Sequence, residues 1–357
     1  MITMQKIRIV LETKFLIVYL PLLVLTCILF FISFQLTITY QVNSTSGSIL
    51  PVGFFALSLL SYFFGIKHGL DADHIAAIDA STRKLIQQGS RSTYVGTFFS
   101  LGHSTVIILV TVLVIVTART VPVSDVIHFQ LYGSVIGLVV SISFLFIIGL
   151  TNILVLISLR RLFKRLGDSN YDRKTMDIAL NQRGFLTKYF KGFFRIIEKD
   201  SQMYFIGFLF GIGFDTVSEI AIISLSALLS GTLRGTSILT LLIFPLLFTS
   251  GMVLVDSSDG FFMNKLYGWA GSNDVKKLWF NMTMTAVSVL VAYAIGGFEF
   301  LTLLEHYLNI GNASTSIIFG LNSGGDWSLL GLLVVLIFAV SWAVSAILFK
   351  TRYAKNN

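Results

Sequence analysis

Residues 64–80 read Phe64-Gly65-Ile66-Lys67-His68-Gly69-Leu70-Asp71-Ala72-Asp73-His74-Ile75-Ala76-Ala77-Ile78-Asp79-Ala80, so two imidazoles, three carboxylates and an amine stand inside an otherwise apolar stretch. An Asp or Lys at the centre of a membrane helix costs roughly 2.5 to 3.5 kcal/mol, whereas each Leu, Ile or Phe returns about 0.3 to 0.6 kcal/mol. The flanking residues cannot offset that cost. Ionisable groups persist at membrane depth where they face a bundle interior or a watery cavity, so the segment reads as a binding site or pathway.

Composition places the whole chain in a bilayer. Of its 357 residues 55% are hydrophobic and only 12% charged, against a charged fraction of about 25% in soluble domains, and the mean hydropathy is +0.82. Crossing about 30 Å of hydrocarbon takes roughly 20 apolar residues. Eight segments qualify: Phe15 to Ile38, Val52 to Ala80, Tyr94 to Thr117, Leu131 to Ser158, Met203 to Leu229, Ser237 to Val255, Trp279 to Leu304 and Leu329 to Phe349. The expected fold is all-α and polytopic. Residues 1–159 form a first four-helix half, 160–202 a basic cytoplasmic connector and 203–357 a second four-helix half.

Charge supplies an independent test of orientation, because Lys and Arg collect in cytoplasmic loops. With the N-terminus inside, 23 of the 26 basic residues fall on the inner side, eleven of them between Arg160 and Lys199. Arg119 and Arg234 fall outside, and Lys67 lies within the second span. Both termini are therefore expected in the cytoplasm. The net charge of +8 is accounted for by attraction to anionic lipid and calls for no nucleic-acid partner. Lys6, Arg8 and Lys14 before the first apolar run resemble the start of a signal peptide. The run is too long for a signal core of 7 to 15 residues, so it reads as an anchor. Cys27, the only cysteine, sits there as a small apolar packer and excludes intrachain disulfides and thiolate-rich metal sites. His128 and His306 fall in outer segments and read as incidental surface residues.

On a regular helix, at about 100° per residue, His68, Asp71 and His74 share one face and Asp73 lies opposite. Asp73 can join them only through a local distortion, which Gly65 and Gly69 permit; unwound backbone at membrane depth is tolerated where it lines a cavity. Lys67 could pair with Asp71 at i, i+4, and Asp79 reads as solvated near the inner interface. One amine cannot neutralise the remaining carboxylates. Imidazole and carboxylate without thiolate describe a site for a borderline divalent metal, for which nickel, cobalt, copper(II) and zinc are all candidates. His103, deep in the third span, is a further candidate ligand or ligand-orienting residue.

The fifth span carries Asp215 and Glu219 at i, i+4 within Phe210-Gly211-Ile212-Gly213-Phe214-Asp215-Thr216-Val217-Ser218-Glu219-Ile220-Ala221. Their like charges repel unless a cation or proton intervenes. Phe64-Gly65-Ile66 before Asp71 echoes Phe210-Gly211-Ile212 before Asp215, and the two spans run in opposite directions, as inverted repeats at a shared substrate site would. Asp256 and Asp259 near the end of the sixth span, and Asn281 at the start of the seventh, are candidate pathway residues or helix caps.

The His68-x4-Asp73-His74 spacing resembles the signature of the nickel/cobalt transporter family. Leu101-Gly102-His103-Ser104-Thr105-Val106, Gly211 to Ile220 and Gly251-Met252-Val253-Leu254-Val255-Asp256-Ser257-Ser258-Asp259 resemble its other blocks in the same order. Lys67, Gly69 and Val217-Ser218 stand where that family usually has Arg, Ala and Ala-Thr. The resemblance implies eight spans, cytoplasmic termini in the cell membrane, and uptake of Ni2+, sometimes with Co2+, through essential signature histidines and aspartates. The expected partners are thus a divalent metal ion, as cargo rather than cofactor, and the lipid bilayer. No G-x4-G-K-[ST] loop occurs, so the chain carries no nucleotide-binding loop of that kind and no ATPase subunit is indicated. An intramembrane zinc hydrolase would use similar groups, but H-E-x-x-H is absent. A proton-coupled carrier of another solute could use the carboxylates without a metal.

Overall fold

The computed structural model describes residues 2–43, 50–87, 93–117, 123–165, 197–212, 222, 237–268, 274–308 and 327–353. Every regular element among them is helical: α1 (Ile2–Asn43), α2 (Leu50–Gly69), α3 (Ala72–Gln87), α4 (Val95–Thr117), α5 (Val123–Arg165), a 3-10 turn (Asp200–Gln202), α6 (Met203–Gly211), α7 (Ile238–Leu241), α8 (Ile243–Gly268), α9 (Asp274–Leu308) and α10 (Trp327–Tyr353). Apolar runs of this length bury no backbone polar group without a partner only as helices, which is why lipid selects them. Hydroxyls inside the runs follow the same rule. Thr26 donates to the Leu22 carbonyl at 2.7 Å, Thr37 to Ser33 at 2.9 Å and Thr249 to Pro245 at 2.7 Å.

Six helices among the described residues are long and apolar enough to span a membrane: Phe15–Ile38, Val95–Val116, Val135–Arg161, Ile238–Lys265, Leu278–Leu304 and Leu329–Thr351. Of the eight expected spans, the second departs from expectation. Residues 52–80 are not one helix, because α2 stops at Gly69 and α3 begins at Ala72. The Leu70 N–H closes on the Lys67 carbonyl at 3.1 Å, and the Asp71 carbonyl accepts the Ile75 N–H at 3.2 Å to open the next helix. The expected fifth span begins as α6; beyond Ile212 it lies outside the described residues except for Ile222. α1 leaves Leu16, Leu20, Leu23 and Phe31 exposed, the surface that lipid rather than water would cover. Cys27 is exposed there too, so it faces outward rather than packing as expected.

Contacts divide the chain into two compact units. One comprises Met1–Leu70, Gly96–Leu138 and Tyr204–Ser258; the other comprises Asp71–Val95, Val139–Met203 and Asp259–Asn357. The first has a core of Leu29, Phe54, Ile107, Phe244, Leu247, Phe248 and Met252, with Tyr62 and Phe64 packed against it. In the second, α3 packs against α9 and α10, and the Thr93 and Tyr94 N–H groups both donate to Asp200 Oδ2, at 2.9 and 3.0 Å. Burial pushes the Lys84 ammonium in this unit down to about 8, against the opposing pull of Glu198.

Candidate metal centre

In the first unit, glycines decide how closely the histidine-bearing helices approach their neighbours. A Cβ at Gly65 of α2 would collide with the Phe248 carbonyl of α8, and one at Gly251 of α8 would collide with the Tyr62 carbonyl of α2. At Gly69 it would stand 2.9 Å from Val255 Cβ. The same reciprocity joins α4 and α6: Gly102 lies on the Tyr204 carbonyl, Gly207 on the Phe99 carbonyl, and a Cβ at Gly211 would sit 2.7 Å from the His103 carbonyl. Only a residue without a side chain lets backbones approach this closely.

These crossings bring together two of the expected ligands. His68 Nε2 lies 3.0 Å from His103 Nε2, with the ring centroids 4.8 Å apart and the planes inclined by 55°. The side chains are 2% and 4% exposed. Phe248 flanks the His68 ring at 5.5 Å and Phe99 the His103 ring at 6.3 Å. One imidazole N–H donates to the bare nitrogen of the other, so both Nε2 lone pairs are available to a single ion only once the donor ring gives up that proton or moves it to Nδ1.

The pair has a polar continuation along α4. Ser100, one turn before His103, donates its hydroxyl to Asp256 Oδ2, and Thr97 hydrogen-bonds Ser257 at 2.7 Å. Asp256 is fully buried, and a carboxylate at such depth needs donors of this kind. His68, His103, Ser100 and Asp256 are thus linked through one face of α4. Sequence reasoning missed Ser100 and Thr97. Ser100 lies three residues before His103 and Thr97 three before Ser100, and that spacing was the available signal, since i and i+3 are neighbours on a helix surface.

The break between Gly69 and Ala72 overturns the expectation that His68, Asp71 and His74 lie on one continuous helix, since His68 lies in the last turn of α2 and His74 in the first turn of α3. Asp71 and His74 are buried. Asp73 is half-buried and its Oδ1 accepts the backbone N–H of His74 at 2.9 Å, a contact that ties its carboxylate to the first turn of α3. Asp79 also differs from expectation. It is 1% exposed and receives both Arg83 contacts, at 3.0 and 3.2 Å, so a buried ion pair replaces the expected solvated carboxylate. Asp259 is buried and Asn281 half-buried. Asp215 and Glu219 lie outside the described residues, as do the side chains of His128 and His306.

Comparison with known proteins points the same way. The family model for NicO, described as high-affinity nickel-transport protein, matches residues 54–348. The high-affinity nickel transport protein of Cupriavidus necator is 40% identical over 296 residues, 83% of this chain and 83% of its own. The high-affinity nickel-transport protein NixA of Helicobacter pylori is 36% identical over 338 residues, 92% of this chain and 96% of its own. The cobalt transport protein NhlF of Rhodococcus rhodochrous is 32% identical over 316 residues, covering 87% and 88%. No solved structure matches.

Proposed function

From the premise that this chain belongs to the NicO nickel-transport family, we propose that it is a secondary transporter importing Ni2+, with Co2+ as a second cargo, across the cytoplasmic membrane. The observation that carries the reading is the buried His68–His103 pair. The 3.0 Å separation is that of a hydrogen bond between two imidazoles, and displacing the shared proton leaves two nitrogens close enough to bind one borderline divalent ion.

His74, Asp71 and Asp73, which follow His68 through a single turn, complete the donor set in this proposal. The ion sheds water onto these groups and passes toward Asp256 and Asp259, with Asp215, Glu219 and Asn281 along the route. The two halves, 1–159 and 203–357, joined by the connector 160–202, each supply four of eight spans, related as inverted repeats, with both termini in the cytoplasm. The glycine crossings at Gly65–Gly251 and Gly102–Gly207 support the repeat reading, since each half sends a glycine-bearing helix against the other. No ATP is needed. Moving two charges inward is favoured by roughly 4.6 kcal/mol per 100 mV, twice the single-charge figure, or more than about a thousandfold accumulation.

The test is metal uptake by the purified protein in proteoliposomes, with Ni2+, Co2+ and Zn2+ in competition. Nickel should enter, cobalt should compete, and zinc should compete least; a protein that moves none of the three refutes the proposal.

A further inference from the structure

The second unit contains a line of buried polar groups that the metal site does not use. Glu299, on a span running from Leu278 to Leu304, is 3% exposed, and Ser141 of α5 donates its hydroxyl to Glu299 Oε1 at 2.9 Å. This contact fixes the antiparallel register of α5 against α9. Farther along, a Cβ at Gly296 would stand 3.3 Å from Leu145 Cβ, one at Gly149 would stand 2.8 Å from the Tyr293 ring, and the Phe163 and Trp279 rings lie 5.6 Å apart. Paired positions sum to nearly the same number throughout. Eleven residues, three helical turns or about 16 Å, separate Ser141 from Asn152 and Glu299 from Ser288. Each step returns to the same helix face, so Asn152 stands level with Ser288.

Asn152 is 1% exposed, and neither its amide nitrogen nor its amide oxygen has a hydrogen-bond partner among the described residues. An amide can make four hydrogen bonds, and leaving it bare in an apolar interior costs about 1–3 kcal/mol. Ordered water is the ordinary occupant of such a place. Ser288 lies beside Asp79, whose partner is Arg83. The line from Glu299 through Asn152 and Ser288 to Asp79 thus sets buried polar side chains, with the Asn152 amide unpartnered among the described residues, along helices otherwise made largely of Val, Leu, Ile and Phe. The charged or titratable groups facing it are few. α5 has none between Val135 and Leu159, α10 none between Trp327 and Phe349, α9 has only Tyr293 besides Glu299 between Leu278 and Leu304, and α3 brings Asp73, His74, Asp79, Arg83 and Lys84.

We infer that this seam is a proton path and that Glu299 is its exchange site, binding and releasing a proton in each transport cycle. The carboxyl O–H gives its proton to an adjoining water, leaving a carboxylate held by Ser141 and a hydronium ion that is relayed along the waters at Asn152 and Ser288. The carboxylate is reloaded by a hydronium ion in the next phase of the cycle. Metal transport and proton movement are then linked, and each proton changes the charge carried per metal ion by one.

The inference rests on the transport reading, and the experiment separates the two. The wild-type protein is reconstituted in proteoliposomes containing a pH-sensitive dye, and Ni2+ entry and internal pH are followed together. Nickel entry accompanied by a pH change above the leak of protein-free vesicles is expected. Glu299→Gln, which keeps an acceptor for Ser141, should lose at least about nine-tenths of that pH change while binding nickel as tightly as wild type. Asn152→Leu should lose it as well, and Asn152→Ser, which leaves space for water, should retain it. Absence of nickel entry refutes the transport reading itself. Nickel entry without a pH change in the wild type overturns the inference, as does an undiminished proton-to-nickel ratio in both Glu299→Gln and Asn152→Leu. Should Glu299→Gln fail to bind nickel, the contrast between Asn152→Leu and Asn152→Ser decides, equal ratios refuting the seam.

Discussion

Single residues here are read through what burial demands of them. His68 and His103 are conspicuous in the sequence because each interrupts an apolar run, but their meeting is not legible there, since 35 positions separate them and only the packing of helices sets that distance. Asp79 shows the opposite case. Its position near the end of an apolar stretch suggested solvation, yet Arg83, one turn away, made an i, i+4 pair available and the second unit buries both. Breaking a buried pair strands the surviving charge, at a cost of about 3–5 kcal/mol, whereas replacing both partners by apolar residues is close to neutral. Asp79→Asn should therefore lower the thermal midpoint of the detergent-solubilised protein sharply. Asp79→Leu combined with Arg83→Met should restore most of it, a result readable by the loss of monodisperse protein on heating.

At the scale of elements, hydropathy located the long helices well because their limits are set by the thickness of hydrocarbon. It could not place the stop between α2 and α3. A glycine followed by Leu70-Asp71 is compatible with either a kinked or a continuous helix, and the outcome depends on the close approach of α8, which sequence does not display. Gly65 holds that approach. Gly65→Ala should force α2 and α8 apart, costing about 1–3 kcal/mol as overpacking and weakening nickel binding by displacing His68 from His103. Gly297→Ala, where a Cβ would meet nothing within 4 Å, is the matched control and should leave both properties unchanged. Thermal midpoints and nickel titrations of the two variants check this.

For the whole molecule, composition alone excluded a soluble protein, and six spanning helices among the described residues agree with it. The division into two interleaved units could not be foreseen, because segments from distant parts of the chain join in each. A carrier driven by membrane potential makes a quantitative prediction. With the potential set by a potassium gradient and valinomycin, accumulation of nickel should rise by about a thousandfold or more per 100 mV, inside negative, when the metal is the only ion moved. Each proton carried alongside or against it shifts the slope by a factor of about 50. A slope of zero would show that net charge does not cross with the metal.

The central claim is that His68 and His103 hold one metal ion between them. Calorimetric titration of Ni2+ into the purified wild-type protein, His68→Ala, His103→Ala and the double variant addresses it most directly. Each single variant should lose at least about 10–100-fold in affinity, and the double variant should be little worse than either, because residues sharing one ion are not independent. Wild-type affinity in either single variant, or losses that simply multiply in the double, would contradict it.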